Sequence, residues 1–142
     1  MSMRKIHKII VHCTATKSDH NVTTEDLRKW HVDERGWSDI GYHFFIDLEG
    51  CVHECRPIEI TGAHTKGQNY DSIGISYAGG IGSDNAWYDT RNDQQKVSLE
   101  ELLCSLKLLY PKSRIYGHNY FSDKNCPSFD AREEYEWISD FK

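Results

Sequence analysis

Short apolar runs separated by polar stretches divide the chain into candidate strands. Five runs have the length and composition of β-strands: residues 6–12, 42–47, 51–55, 73–78 and 114–116. The segment Leu48-Glu49-Gly50 joins the second run to the third, which predicts a β-hairpin. The fourth run ends at Gly79-Gly80, where the strand is expected to stop.

Helical signals occur near both ends of the chain. Thr23 is suited to cap a helix through its hydroxyl, with Asp26 at the third helical position. Apolar and aromatic residues then recur at helical spacing until Gly36 ends the pattern. Asp130 is expected to cap a last helix that continues through Trp137.

A longer helix is predicted in the second half of the chain. Residues 81–97 have the composition of a polar loop, and Ser98-Leu99-Glu100-Glu101 matches a capping box that opens the helix. The apolar stripe of this helix comprises Leu99, Leu102, Leu103, Leu106 and Leu109. We interpret the stripe as core, and Pro111 as the residue that stops the helix.

The interleaving of strands and helices predicts the fold class. It indicates an α/β (α+β) protein with a central mixed β-sheet flanked by helices. A chain of 142 residues suffices for one real core and is short for two, so residues 1–142 are expected to form a single domain. On this arrangement His12 and His118 lie at the ends of strands.

Charge and hydropathy limit the classes of binding partner and the cellular compartments that we expect for this protein. The chain has 17 Lys and Arg against 22 Asp and Glu, a net charge of −5, and no basic cluster. A nucleic-acid partner is therefore not expected. The N-terminal apolar stretch is shorter than the roughly 7–15 residues of a secretory signal, and no membrane insertion is expected. We expect accumulation in the cytoplasm without a signal peptide, unless another system exports the protein.

The cysteine pattern argues against a disulfide framework. The chain has five cysteines, an odd number, at positions 13, 51, 55, 104 and 126. Cys51 and Cys55 lie four residues apart in a predicted strand, a span of about 13 Å that exceeds disulfide reach. We interpret them as two packed thiols.

Three residues suggest a metal site. His12 ends the first apolar run, and His118 and Cys126 occur in one segment with seven residues between them. Two imidazoles and a thiolate are ligands that zinc accepts, and catalytic zinc sites use three protein ligands plus water. The spacing differs from the close Cys pairs of structural zinc modules. Taken singly, each histidine could instead be a packing or surface residue, and Cys126 a buried apolar side chain.

Four segments carry a family resemblance. They are residues 10–16 (IVHCTAT), 36–44 (GWSDIGYHF), 64–75 (HTKGQNYDSIGI) and 117–130 (GHNYFSDKNCPSFD). In this order and spacing the chain resembles the type 2 N-acetylmuramoyl-L-alanine amidases. It is similar to the short bacteriophage lysozyme-amidases, which are related to the animal peptidoglycan recognition proteins.

The resemblance implies a zinc hydrolase that acts on peptidoglycan as a monomer. Its substrate bond is the amide between N-acetylmuramic acid and L-alanine, and its cofactor is Zn²⁺ held by His12, His118 and Cys126. Tyr42 and Lys124 match the two non-ligand catalytic positions of the phage enzymes. From the residues alone, the favoured interpretation of Tyr42 is a core aromatic and that of Lys124 is a solvated loop charge, and the resemblance favours the catalytic roles instead. The enzyme would act on the cell wall after release or export by another system.

Further residues remain candidates or are set aside. His64 matches a family histidine beside the cleft and is a candidate for substrate binding. Cys13 alternates to the face opposite His12 and should not bind the metal. Five other histidines have no functional argument and are interpreted as packing or surface residues: His7, His20, His31, His43 and His53.

Two other functions on the same fold compete with the amidase. One is a non-catalytic peptidoglycan-binding module, and the other is a regulatory protein that binds a protein partner. Binding-only relatives typically lack the cysteine ligand, so the presence of Cys126 favours the enzyme. No sequence feature tests the regulatory role, and no carboxylate is nominated as the general base.

Overall fold

The first apolar run of the sequence forms an interior strand of the main sheet. The computed structural model describes residues 4–142. The strands in chain order are β1 Lys8–Cys13, β2 Thr16–Lys17, β3 Phe44–Ile46, β4 Val52–Glu54, β5 Ser72–Tyr77, β6 Gly80–Ile81 and β7 Arg114–Gly117. The helices are α1 Thr24–Arg28, which continues as a π-helical segment over Lys29–Glu34, α2 Asp93–Leu109, α3 Ala131–Glu134 and α4 Glu136–Ser139. Short 3₁₀ turns cover Asn69–Asp71 and His118–Tyr120.

Five strands form one mixed sheet in the order β4-β3-β5-β1-β7. β1 pairs in parallel with both β5 and β7, and only β4 runs antiparallel to its neighbour. Strands buried on both faces read as continuous apolar runs, which explains the Ile9-Ile10-Val11 run of β1. β5 is also buried along its whole length, but small Ser and Gly side chains alternate there with apolar ones. The expected mixed sheet flanked by helices is confirmed.

The two faces of the sheet bury different clusters. Ile9, Val11 and Cys13 of β1 belong to the larger cluster, which includes the leucines of α2. His12 alternates to the other face. There Leu27 of α1 packs in a smaller cluster with Phe45 of β3. The carboxyl end of β1 therefore presents His12 between the sheet and the α1 region.

The helix α2 begins earlier than the sequence pattern predicted. Asn92 is its N-cap, accepting the Gln95 backbone N–H, while the Gln95 side chain accepts the N–H of Asn92. The Ser98 hydroxyl instead donates to the carbonyl of Gly50. Placing the start at Ser98 was therefore wrong, because the true capping box lies within residues 81–97. Leu109 is 68 % exposed and is not core, since the helix ends there.

Other boundaries shift by small amounts. The α1 capping box of Thr23 and Asp26 is confirmed, and Gly36 has a φ of +75° beyond the helix end. Asp130 caps α3 as predicted, but the helix breaks at Tyr135 before α4 begins. The break keeps the Tyr135 ring buried, and its hydroxyl accepts a hydrogen bond from Arg91.

The cysteines form no disulfides, as predicted. The interpretation of Cys51 and Cys55 as packed thiols was half wrong, because Cys51 is exposed and only Cys55 is partly buried. Cys51 lies in the turn just before β4, where its side chain faces solvent. Within residues 4–142, no helix combines the length and apolar character that crossing a membrane requires.

Candidate metal centre and active site

The three predicted metal ligands converge at one edge of the sheet. In the parallel register of β1 and β7, Val11 lies opposite Gly117, so the following residues, His12 and His118, emerge side by side. Cys126 reaches the same point from the loop after β7. One ligand atom from each of these three residues lies within 4.8 Å of the others. In the part of the chain from residue 4 to 142, this is the one such group of His, Cys, Asp or Glu.

The loop that carries Cys126 is tied to β5 and β6 by the two residues that follow the thiol. The Tyr77 hydroxyl donates to the carbonyl of Pro127 at 2.6 Å, and the Ser128 hydroxyl donates to the carbonyl of Gly80 at 2.7 Å. The backbone N–H of Cys13 donates to Cys126 Sγ at 3.1 Å. These bonds fix the position of the sulfur relative to His12.

The donor set fits a zinc ion. His12 Nδ1 and Cys126 Sγ are 3.8 Å apart. Two ligands of these types around a tetrahedral zinc ion lie about 3.6 Å apart, given the usual Zn–N and Zn–S lengths. Two imidazoles and one thiol are zinc ligands, and three protein ligands leave a fourth position for water or substrate.

Burial sets the protonation of these groups. Desolvation lowers the pKa of His12 well below 6.5, assisted by nearby His64, His118 and Lys124, and it also lowers the pKa of His118. Both imidazoles are therefore neutral near pH 7 and can each offer a lone pair. A hydrogen bond with Cys13 and burial raise the pKa of Cys126 well above that of an ordinary thiol. A bound cation would deprotonate this thiol, so metal binding would release a proton.

Tyr42 lies beside the ligand cluster. Its ring centroid is 5.3 Å from that of His12. It precedes β3 instead of beginning it, although its carbonyl still accepts the Arg56 N–H in the ladder with the next strand. Burial raises the pKa of Tyr42 above its usual 10, which keeps the hydroxyl protonated. The neighbouring residue must be glycine, because a Cβ on Gly41 would lie 2.3 Å from the Ala63 carbonyl oxygen.

Lys124 is exposed on the ligand loop and lines the same cleft as Tyr42. The cleft has a volume of about 620 Å³. Sequence reasoning missed most of its wall, which includes Trp30, Glu34, Arg35, Trp37, Trp87 and Asp123. Trp87 is 42 % exposed, and the Arg35 guanidinium lies 5.2 Å from the Trp37 ring. A large exposed tryptophan in a polar loop was the available signal for a binding surface.

His64 lies directly behind His12. Its Nδ1 is 2.9 Å from His12 Nε2, and the Thr65 hydroxyl is 3.2 Å from the same nitrogen. The ring also forms part of the cleft wall. Its role as a substrate contact stays a prediction. Thr65 was missed because a single buried threonine leaves no distinctive pattern in a sequence.

Two histidines set aside as packing residues are buried acceptors. His31 Nδ1 accepts the Gly41 N–H at 2.9 Å, and His43 Nδ1 accepts the Gly74 N–H at 3.0 Å. Burial lowers the pKa of both to about 4. Each ring therefore stays neutral and holds a backbone segment that leads to the site.

Comparison with known proteins agrees with this geometry. The family model described as N-acetylmuramoyl-L-alanine amidase matches residues 2–129. The endolysin of Enterobacteria phage T3 is 40 % identical over 128 residues, covering 90 % of this chain and 84 % of the relative.

Two solved structures share the fold. The endolysin N-acetylmuramoyl-L-alanine amidase LysCS from Clostridium intestinale superposes with a TM-score of 0.81 at 30 % identity. That match covers 98 % of this chain and 86 % of LysCS. The ectodomain complex of peptidoglycan recognition proteins LCa and LCx with bound tracheal cytotoxin gives a TM-score of 0.75 at 29 % identity. It covers 94 % of this chain and 82 % of the other. This chain therefore belongs to the N-acetylmuramoyl-L-alanine amidase family and has the cell-wall amidase activity that defines it.

Proposed function

We propose that this amidase is zinc-dependent, with His12, His118 and Cys126 holding the ion and peptidoglycan as the substrate. The convergence of two neutral imidazoles and one thiol at the floor of an open cleft carries the proposal. The bond to be cut is the amide between N-acetylmuramic acid and L-alanine. We further propose that residues 1–142 act as one catalytic domain and as a monomer.

A bound zinc ion would supply Lewis acidity toward the scissile carbonyl and acidify a coordinated water. All three ligand residues line the open cleft, through which a substrate can reach the site. His12 and His118 contribute lone pairs without first losing a proton, because burial already keeps them neutral. Only Cys126 has to release its proton on metal binding.

Lys124 and Tyr42 are proposed as the two remaining catalytic groups. A lysine ammonium on the cleft wall can stabilise the negative charge that develops on the carbonyl oxygen during hydrolysis. The Tyr42 hydroxyl stays protonated, since burial raises its pKa, and can donate a proton or hydrogen bond to the reacting groups. The proton acceptor for the attacking water is not assigned to any side chain.

The cleft has chemistry suited to a muramyl peptide. Its tryptophans offer apolar faces, and Glu34, Arg35 and Asp123 offer charges of both signs. A peptide stem carries an ammonium or carboxylates that such side chains can bind. The likeness to recognition proteins solved with bound tracheal cytotoxin supports a ligand of this class.

Metal analysis combined with product analysis tests the proposal. Metal-replete protein should contain one zinc ion per chain, and digestion of purified peptidoglycan should release free amino groups on L-alanine with intact glycan strands. A chelator should abolish activity, and added zinc should restore it. Zinc-free active protein would refute the metal assignment, and new reducing sugars or cuts confined to the stem peptide would refute the bond assignment.

A further inference from the structure

The two ring nitrogens of His12 face different partners. Nδ1 lies 3.8 Å from Cys126 Sγ and points into the ligand cluster. Nε2 points away from the cluster and lies 2.9 Å from His64 Nδ1 and 3.2 Å from the Thr65 hydroxyl. One nitrogen is thus available for the metal, and the other is held by protein.

This division fixes which tautomer of His12 the site requires. A neutral histidine that binds a metal through Nδ1 carries its proton on Nε2, and that N–H needs an acceptor. His64 Nδ1 accepts it if the proton of His64 lies on its own Nε2, which faces the Ser72 hydroxyl at 3.4 Å. The Thr65 hydroxyl lies 2.9 Å from His64 Nδ1. It is therefore within hydrogen-bond distance of both His64 Nδ1 and His12 Nε2.

The backbone around His64 holds its ring in a single place. A Cβ on Gly74 would lie 2.5 Å from His64 Cδ2, and a Cβ on Gly62 would lie 2.7 Å from the same atom. The ring therefore fills a slot that exists because both residues are glycines. Asn69 Oδ1 accepts the backbone N–H groups of His64 and Thr65, at 3.0 and 2.9 Å. Such rigid support is what a group needs to orient a metal ligand.

We propose that His64 and Thr65 are positioning residues that hold His12 in its Nε2–H tautomer and aim its Nδ1 at the metal. The inference rests on the proposed zinc site. It assigns His64 a role on the metal ligand instead of the substrate contact expected from the sequence.

Zinc affinity of the full-length protein tests this role, measured by competition with a chromophoric chelator. His64→Ala should weaken zinc binding by about 10- to 100-fold, the usual cost of losing a partner of a metal-bound histidine. His64→Asn should recover most of the affinity, because its side-chain oxygen lies near the position of Nδ1. Thr65→Val, which keeps the shape and removes the hydroxyl, should cause a smaller loss.

A matched control separates positioning from general destabilisation. His53→Ala removes an imidazole on β4 that bonds to Asp47 at 2.8 Å and lies outside both the ligand cluster and the slot of the His64 ring. It should lower stability without changing zinc affinity. In ¹⁵N-labelled, zinc-loaded wild-type protein, two-bond ¹H–¹⁵N spectra should show the His12 proton on Nε2.

Three results would overturn the inference. Unchanged zinc affinity in His64→Ala, with a raised KM, would return His64 to a substrate contact. Equal zinc loss in His64→Ala and His64→Asn, with both variants folded, would remove the acceptor role. A His12 proton on Nδ1 in the zinc-loaded protein would contradict the tautomer. Wild-type protein that binds no zinc would instead refute the proposed metal site, which these variants do not test.

Discussion

The imidazole rings of His12 and His118 lie 4.7 Å apart, centroid to centroid, although His12 lies near the end of β1 and His118 directly follows β7, the last strand in the chain. Parallel pairing of β1 with β7 produces this contact, because parallel strands end at the same edge. The pairing also explains why no local spacing rule joins these two proposed ligands. Cys126 completes the set because its loop is anchored to the opposite side of β1, through Tyr77 and Gly80.

Lys124→Ala and Tyr42→Phe should separate catalysis from metal binding. Both variants should keep the fold and the zinc. Because each group would act mainly in the transition state, kcat should fall by about 10²–10³ with little change in KM. Steady-state kinetics on a soluble muramyl peptide, with zinc content measured in parallel, checks this. Near-normal turnover in Lys124→Ala would leave that residue a solvated loop charge.

Loss of a ligand should behave differently from loss of a catalytic group. His118→Ala should lose zinc and activity together, since it removes one of the three donors of the cluster. The control is His53→Ala, which changes a histidine on β4 that is not a proposed ligand. The zinc content of this variant should stay at the wild-type level. An active, zinc-containing His118→Ala enzyme would rule out the proposed ligand set.

The hydrogen bond from Tyr77 to Pro127 should matter for metal affinity. Tyr77→Phe keeps the buried ring and removes only the hydroxyl that donates to the ligand loop. Losing one such bond costs about 0.5–1.5 kcal/mol, part of which should appear as several-fold weaker zinc binding. The chelator competition assay measures it. Affinity equal to wild type would mean that Ser128 and the Cys13 N–H hold the loop without help.

Acid should destabilise the protein through its buried neutral histidines. The pKa of His43 is lowered to about 4 in the folded protein, whereas an unfolded histidine titrates near 6.5. Between these values the unfolded chain binds more protons, so the contribution is complete above pH 6.5 and is lost as pH falls toward 4. The slope approaches about 1.4 kcal/mol per pH unit for each such histidine.

The variant His43→Asn isolates that contribution, because its side-chain oxygen can still accept the Gly74 N–H. Urea unfolding at several pH values between 4.5 and 7.5 should give a shallower pH slope for the variant than for the wild type. Subtracting the two curves cancels the effect of metal release, which both proteins share. Parallel curves would mean that His43 titrates normally in the fold.

Alanine substitution of two leucines in the predicted stripe on α2 should lower the free energy of unfolding by different amounts. Leu103 is fully buried and Leu109 is 68 % exposed. Leu103→Ala should cost about 2–5 kcal/mol of unfolding free energy, because it leaves a cavity in the main core. Leu109→Ala should change it by less than about 0.5 kcal/mol. Denaturant melts of the two variants test the difference, and similar losses would show that Leu109 packs in solution.

The sequence by itself determined the five strands of the main sheet, the fold class and the candidate ligands, but not the short strands β2 and β6. A continuous apolar run such as that of β1 identifies a buried strand whatever the strand order. Two histidines and a cysteine are ligand types that zinc accepts, and the family resemblance selected His12, His118 and Cys126 from the other candidates. The exact start of α2 escaped this reasoning. Asn92 and Gln95 form a capping box as good as the pattern at Ser98, and the choice depends on contacts with Leu48 and Ala78 from elsewhere in the chain.

Only the tertiary structure decided how the ligands are held. The His12–His64 hydrogen bond joins β1 to a loop before β5, and the slot for the His64 ring requires Gly62 and Gly74 at once. Such relationships depend on three-dimensional distance between segments far apart in the chain, so no local pattern encodes them. The residue types of the site can therefore be predicted from the sequence. The orientation of these side chains and the contacts that hold them are set only when the parallel strands pair.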